Sequence, residues 1–227
     1  MQNSRSRTTK VMEMKQLVVP TIPALKPSSP LSDVSEALDL LPAQRIDLDP
    51  WPSGGEKVEA GFTLAHSGRH LLLKYKVREQ AVLARYRNIN DPVYKDTCVE
   101  FFISFGEERA YYNIEANCLG TCLVGYGPGK HDRKPLAVEA ISQIEHLANL
   151  KVANHGQKER AWELTLRIPA TVFTEHRLEN FSGLQARGNF YKCGDDLPEP
   201  HFLVWNPVTA PAPEFHRPGD FGAISFL

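Results

Sequence analysis

Rings and hydrogen-bonding groups alternate along the last quarter of the chain. Gly188-Asn-Phe-Tyr-Lys-Cys-Gly-Asp-Asp-Leu-Pro-Glu-Pro-His-Phe-Leu-Val-Trp-Asn-Pro207 is followed by Phe215-His-Arg-Pro-Gly-Asp-Phe-Gly222. A pyranose presents an apolar C–H face and a rim of hydroxyls, so flat side chains flanked by amides, acids and arginine suit it on both sides. Three strand-like segments carry matching rows. In residues 97–104, Val99, Phe101 and Ile103 share one side, and Glu100 shares the other with Cys98 and Phe102. In residues 110–118, Tyr112, Ile114, Ala116 and Cys118 oppose Tyr111, Asn113, Glu115 and Asn117. In residues 184–192 the alternate row is Gln185, Arg187, Asn189 and Tyr191. Strand by strand, such rows suit the outward face of any antiparallel sheet, where cross-strand polar pairs contribute a few tenths to about 1 kcal/mol. Their coincidence with ring-bearing loops favours a groove: Asp91-Pro-Val-Tyr94-Lys-Asp96 precedes the Glu100 strand, and Trp205 and Phe215 follow the Arg187 strand.

The elements that must position these residues read as all-β. Seventeen prolines and fifteen glycines punctuate many short segments, the pattern of a sandwich or barrel. Residues 58–64 place Val58, Ala60, Phe62 and Leu64 on one side. Residues 70–77 place Leu71, Leu73, Tyr75 and Val77 inward, with His70, Lys74 and Lys76 outward. Residues 161–168 alternate Trp162, Leu164, Leu166 and Ile168 with Glu163, Thr165 and Arg167, which predicts one solvated face, and Pro169 ends the strand. A short helix is expected over residues 32–41, capped by Ser32 and with Val34, Ala37, Leu38 and Leu41 recurring. Residues 136–150 read equally as strand or helix.

The 227 residues and 42% hydrophobic content suffice for one large all-β domain. Residues 1–14 are polar and basic and read as a flexible leader, leaving residues 15–227 as the domain. A formal net charge of -1 and a pI near 6.7 exclude an electrostatic case for nucleic acid or an anionic membrane as partner. No apolar run approaches the roughly 20 residues of a bilayer span, and the start lacks a secretion-signal core, which points to the cytoplasm unless a signal has been removed. Cys98, Cys118, Cys122 and Cys193 contain no C-x-x-C pair and read as free buried thiols. A zinc site would need all four to converge.

Five stretches together resemble the family 9 carbohydrate-binding modules, in particular the family 9-like group found as stand-alone or fused domains. They are Asn90-Asp-Pro-Val-Tyr-Lys-Asp-Thr-Cys-Val-Glu-Phe-Phe-Ile103, Tyr111-Tyr-Asn-Ile-Glu-Ala-Asn117, Asn189-Phe-Tyr-Lys-Cys-Gly-Asp-Asp196, Trp205-Asn-Pro207 and Phe215-His-Arg-Pro-Gly-Asp-Phe-Gly222. The resemblance implies an antiparallel β-sandwich that holds a small sugar, or the reducing end of a plant polysaccharide, between two rings. One ring of that clamp corresponds to Val93 or Tyr94 and the other to Phe215. Both are tryptophan in the best-known pattern, so this chain's clamp differs in shape. The family's hydroxyl-binding glutamate falls on Glu100, and its polar partner falls near Asn113. Some relatives carry calcium, but no Asp-x-Asp-x-Asp loop stands here, and no cofactor is expected.

The sequence therefore predicts an immunoglobulin-like or jelly-roll sandwich with one or two short helices that binds a mono-, oligo- or polysaccharide without cutting it. Tyr94 and Phe215 are the expected platforms, and Trp205 and Tyr191 their neighbours. Glu100, Asn113, Arg187 and Asn189 are the expected hydroxyl partners, and Arg217 fixes the C-terminal loop or reaches the ligand. Two rival functions compete. Glu100, Asp195, Asp196 and Glu199 could supply the paired carboxylates of a glycoside hydrolase, yet Asp195-Asp196 before Leu-Pro-Glu-Pro reads more simply as a turn. His201 and His216 have no nucleophile motif beside them. Haem binding or a protein-interaction role is known for similar sandwiches, but Met1, Met12 and Met14 all lie in the leader, leaving no methionine ligand in the folded part.

Overall fold

The computed structural model describes residues 13–52, 54–55, 57–151 and 160–227. The expected leader falls, up to residue 12, outside them. In chain order the described elements are β1 (Leu17–Val19), α1 (Leu31–Asp39), β2 (Gln44–Arg45), β3 (Glu59–His66), β4 (His70–Glu79), β5 (Cys98–Phe105), β6 (Tyr111–Asn117) and β7 (Cys122–Gly127). They continue with β8 (Lys134–Pro135), α2 (Val138–Ile141), β9 (Glu145–Lys151), β10 (Arg160–Pro169), β11 (Gln185–Cys193), β12 (Phe202–Val204) and β13 (Gly222–Phe226).

Two sheets form a β-sandwich. The larger runs β1-β13-β11-β5-β6-β7-β8 with β12 paired to β11, and the smaller runs β2-β3-β4-β10-β9. All pairings are antiparallel except β1 with β13. The apolar halves of the alternating strands meet between them. Phe101, Ile103, Ile114, Ala116 and Phe190 of the larger sheet bury against Phe62, Leu64, Leu73, Tyr75, Trp162 and Leu164 of the smaller. Phe190 sits at the centre, stacked on Phe101 at 4.4 Å within its own sheet and on Phe62 at 3.5 Å across the sandwich.

Both outer faces are covered in part, and this changes several expectations. Lys74, Thr165 and Arg167, expected in solvent, are 2%, 1% and 3% exposed, because α1 and the segment before it lie over the smaller sheet. Val34 and Leu38 of α1 pack on Ala65 and Leu72. Lys74 Nζ pairs with Asp39 at 2.7 Å and Glu163 at 3.1 Å. Arg167 donates to the carbonyls of Pro27 and Ser29. Helix α1 starts at Leu31 with Pro30 before it and no side-chain cap, so Ser32 is inside the helix and does not cap it. The ambiguous stretch 136–150 holds both structures, α2 followed by β9.

The outer face of the larger sheet carries a second apolar cluster. Cys98, Phe102, Tyr111, Tyr191, Cys193 and Val204 are roofed by Val93 from one side and by Val208, Phe215 and Phe221 of the loop between β12 and β13. One end of this roof is open, and there the candidate site lies.

Candidate functional site

A cavity of about 370 Å³ opens on that outer face, lined by Tyr94, Glu100, Glu115, Cys193, Asp195 and Phe202 together with Lys130, His131, Arg133, Pro213, Glu214, Phe215 and His216. Its floor comes from three adjacent strands. Register sets Glu100 of β5 directly opposite Glu115 of β6 and opposite Tyr191 of β11, so side-chain alternation turns all three to the same face.

The walls are loops tied down by buried polar groups. Tyr94 rides on a short 3-10 turn, Val93–Lys95, anchored by Asp96. The fully buried Asp96 carboxylate accepts from Tyr86 N at 3.0 Å and from Asn117 Nδ2 at 3.1 Å. Tyr94 O in turn accepts from Asp195 N at 3.2 Å, joining the Tyr94 turn to the one after β11. Opposite, Phe215 is 8% exposed and lies on Tyr191 at 4.2 Å with the rings 13° from parallel. Tyr191 Oη donates to Phe215 O at 3.1 Å, and Trp51 tilts against the Phe215 ring at 6.1 Å. Phe215 is thus a wall with its back fixed on Tyr191.

The third wall, Lys130 to Arg133, hangs from the turn between β7 and β8. A Cβ on Gly127 would lie 2.5 Å from Arg133 Cα and 2.6 Å from Asp132 O, so glycine there lets the return strand close over the site. Arg133 Nη1 lies 2.8 and 2.9 Å from the two ring nitrogens of His216, whose Nδ1 is also 2.7 Å from Tyr111 Oη. Burial, then the charges of Arg133, Lys130 and His131, push His216 down to about 3, so the imidazole is neutral at physiological pH.

Burial dominates the carboxylates as well. Glu100, 3% exposed, is pushed well above the usual carboxylate range by burial first, then by Cys193 and the facing Glu115. Burial raises Glu115 to about 7 against the pull of Arg133 and of Asn113, which donates to Glu115 Oε1 at 2.8 Å. Asp195 is raised too, by burial and then by Asp196. Burial thus favours the protonated forms at the floor, so the carboxyls can donate as well as accept toward hydroxyl groups.

Of the residues expected from sequence to bind, Tyr94, Glu100 and Phe215 line this cavity. Tyr191 backs Phe215, and Asn113 stands behind Glu115. The other four are elsewhere. Trp205 is fully buried between the sheets, edge-on to Phe62 and Phe190. Asn189 is sealed under the C-terminal loop, where its amide donates to Asn206 O at 3.1 Å and accepts from Asn206 N at 2.9 Å. Arg187 faces Ser104, four residues along β11 from the Tyr191–Glu100 pair, about 13 Å away, and donates to Glu108 O. Arg217 pairs with Asp220 at 2.9 Å and lines a neighbouring cleft beyond His216. Row membership was the right signal for facing outward, but a row runs the whole strand length and the cavity occupies one end.

Glu115, Lys130, His131, Arg133, Phe202, Glu214 and the floor thiol Cys193 were missed as site residues. For Lys130, His131 and Arg133 the Gly127-Pro-Gly129 sequence marks a turn but not how tightly it closes.

Rings and buried carboxyls lining one cavity on the outer face of a β-sandwich suit a sugar-binding module. The chain belongs to carbohydrate-binding family 9, whose model matches residues 33–226. A crystal structure of a candidate carbohydrate-binding protein from Bacteroides uniformis ATCC 8492 is similar at 36% identity and a TM-score of 0.85, covering 95% of this chain and 100% of that one. Two structures of a family 9 module from Caldicellulosiruptor kristjanssonii share the fold. The one in complex with glucose has 14% identity and a TM-score of 0.58, covering 94% of this chain and 96% of that one. The one in complex with cellotriose has 13% identity and a TM-score of 0.56, covering 93% of each. No curated protein matches the chain.

Proposed function

We propose that the cavity between Tyr94 and Phe215 takes a single neutral sugar ring or the terminal unit of an oligosaccharide, and holds it without cleaving it. The observation that carries this reading is the Phe215 ring braced on Tyr191 at one wall, with Tyr94 at the other and Glu100 and Glu115 at the floor. A sugar face rests on the ring, and its hydroxyls exchange hydrogen bonds with the carboxyl pair, Arg133 and Asp195. The volume of about 370 Å³ lies near the lower end of the roughly 300–1,000 Å³ typical of small-ligand sites, which favours one unit over a long chain segment. Glucose and cellotriose, the ligands in the two Caldicellulosiruptor kristjanssonii structures, are the first sugars to try.

A glycan array followed by calorimetry tests the proposal. The expected result is saturable one-to-one binding of a mono- or short oligosaccharide that is recovered intact. Retention only on polymer, with no affinity for any short sugar, would overturn it.

A further inference from the structure

Two of the four cysteines meet the floor carboxylate. Cys98 of β5 and Cys193 of β11 stand directly opposite each other, and Glu100 follows two residues along the same face of β5. One ligand atom from each of the three lies within 4.8 Å of the others. Cys193 Sγ donates to Glu100 Oε1 at 3.1 Å. Cys98, Cys193 and Glu100 are 0%, 1% and 3% exposed, yet Cys193 and Glu100 line the cavity, so the cluster has an entry path.

No cation pairs directly with this cluster among the described residues. Lys192 is next along β11, but alternation turns it to the opposite face, where it pairs with Glu79 at 3.0 Å and lies 2.8 Å from His201 Nε2. Left to themselves the three groups favour their protonated forms: burial drives the Cys98 thiol up to about 12 and raises Glu100, while the contact with Cys98, then burial, raises Cys193. Tetrahedral zinc, with Zn–S near 2.3 Å and Zn–O near 2.0–2.2 Å, needs ligand atoms about 3.5–3.8 Å apart. The 3.1 Å between Cys193 Sγ and Glu100 Oε1 and the 4.8 Å limit on all three distances bracket this range.

We propose that Cys98, Cys193 and Glu100 form a three-ligand site for a thiophilic divalent cation of the zinc class, with the fourth position opening into the sugar pocket. Two thiolates and a carboxylate around a dication leave a net charge of -1, so binding expels the protons those groups held, up to three per ion. Thiolate ligands select zinc or cadmium over calcium and magnesium. The three protein ligands leave one position for water or for a sugar hydroxyl. The site shares Glu100 with the sugar reading but stands on the thiol pair, and sugar affinity is measured separately on metal-free protein.

Cobalt(II) added to the reduced full chain is the probe. One equivalent should produce a thiolate-to-cobalt charge-transfer band and tetrahedral d–d bands, which zinc erases and calcium leaves unchanged. Cys98→Ser and Cys193→Ser should each weaken cobalt binding by about 100-fold or more, while Cys118→Ser and Cys122→Ser leave it intact. Should the first two variants misfold, proton release from the wild type decides: two to three protons per cobalt support the site. No bands in the reduced protein, bands that survive both serine variants, or release of fewer than two protons would overturn it. So would a Cys98–Cys193 disulfide that persists under reductant. A sugar titration that succeeds on metal-free protein while cobalt fails sinks the metal site alone.

Discussion

Replacing Phe215 by alanine removes a ring that has two separable jobs. It is 8% exposed, stacked on Tyr191 and flanked by Trp51 and Phe202 at 6.1 and 6.2 Å. Truncating a buried phenylalanine costs about 3–5 kcal/mol. The void here would merge with an existing cavity and fill with water, so the lower end, about 3 kcal/mol, is expected. For a chain of this size that corresponds to a fall in Tm of about 6–12 °C. The same ring supplies the sugar platform, whose loss should weaken binding by about 1–3 kcal/mol, or roughly 5- to 150-fold. The two effects separate when calorimetry is run well below the variant's Tm. Phe215→Leu, which keeps apolar volume but no flat face, should restore much of the Tm and little of the affinity. An unchanged Tm in Phe215→Ala would refute the packing, and a lowered Tm with unchanged affinity would refute the platform.

Three further outcomes are expected. Lys192→Met leaves the fully buried Glu79 without its cation, with the Trp162 indole at 2.6 Å and His201 Nε2 at 3.6 Å still beside it, so stability measured by urea unfolding should fall by about 3–5 kcal/mol. Glu115 has a folded value of about 7 against an ordinary 4.5, so the native state keeps a proton that the unfolded chain loses. Its contribution therefore weakens stability progressively as pH rises from about 4.5 to 7, and Glu115→Gln should flatten that part of the urea midpoint profile; an identical profile in the variant would sink the assignment. Asn189→Ala removes the two hydrogen bonds to the Asn206 backbone and leaves those between the Asn206 side chain and Lys15, so the C-terminal loop should exchange amide hydrogens faster while β5 and β6 stay protected.

The inner faces were legible because alternation of period two survives in β3, β4, β10 and β11, and one misplaced residue would have reversed every side chain. The outer faces were not. Nothing local in Lys74 or Arg167 says that a helix from 35 or more positions away will cover them, and buried salt bridges look like surface charge in sequence. Trp205 misled for a related reason: it adjoins Asn206, which does anchor the ligand-side loop, but its own ring turns inward. Tyr94 and Phe215 were recognisable by their places before a carboxylate-bearing strand and before the closing Phe-Gly pair. The cation-bearing wall depended on how tightly a glycine turn closes, and the facing of Cys98 and Cys193 on register between distant strands. Neither leaves a spacing signal.

Glu100 is the residue on which the sugar-binding account turns, because it sits at the cavity floor and no cation among the described residues pairs with it. Calorimetric titration of the best-binding sugar into metal-free wild type and Glu100→Ala, with near-UV circular dichroism to verify the fold, is the most direct test. The account predicts one-to-one binding by the wild type and at least about a tenfold loss in a folded variant, the scale of one buried hydrogen bond. Equal affinity in the two proteins would contradict it.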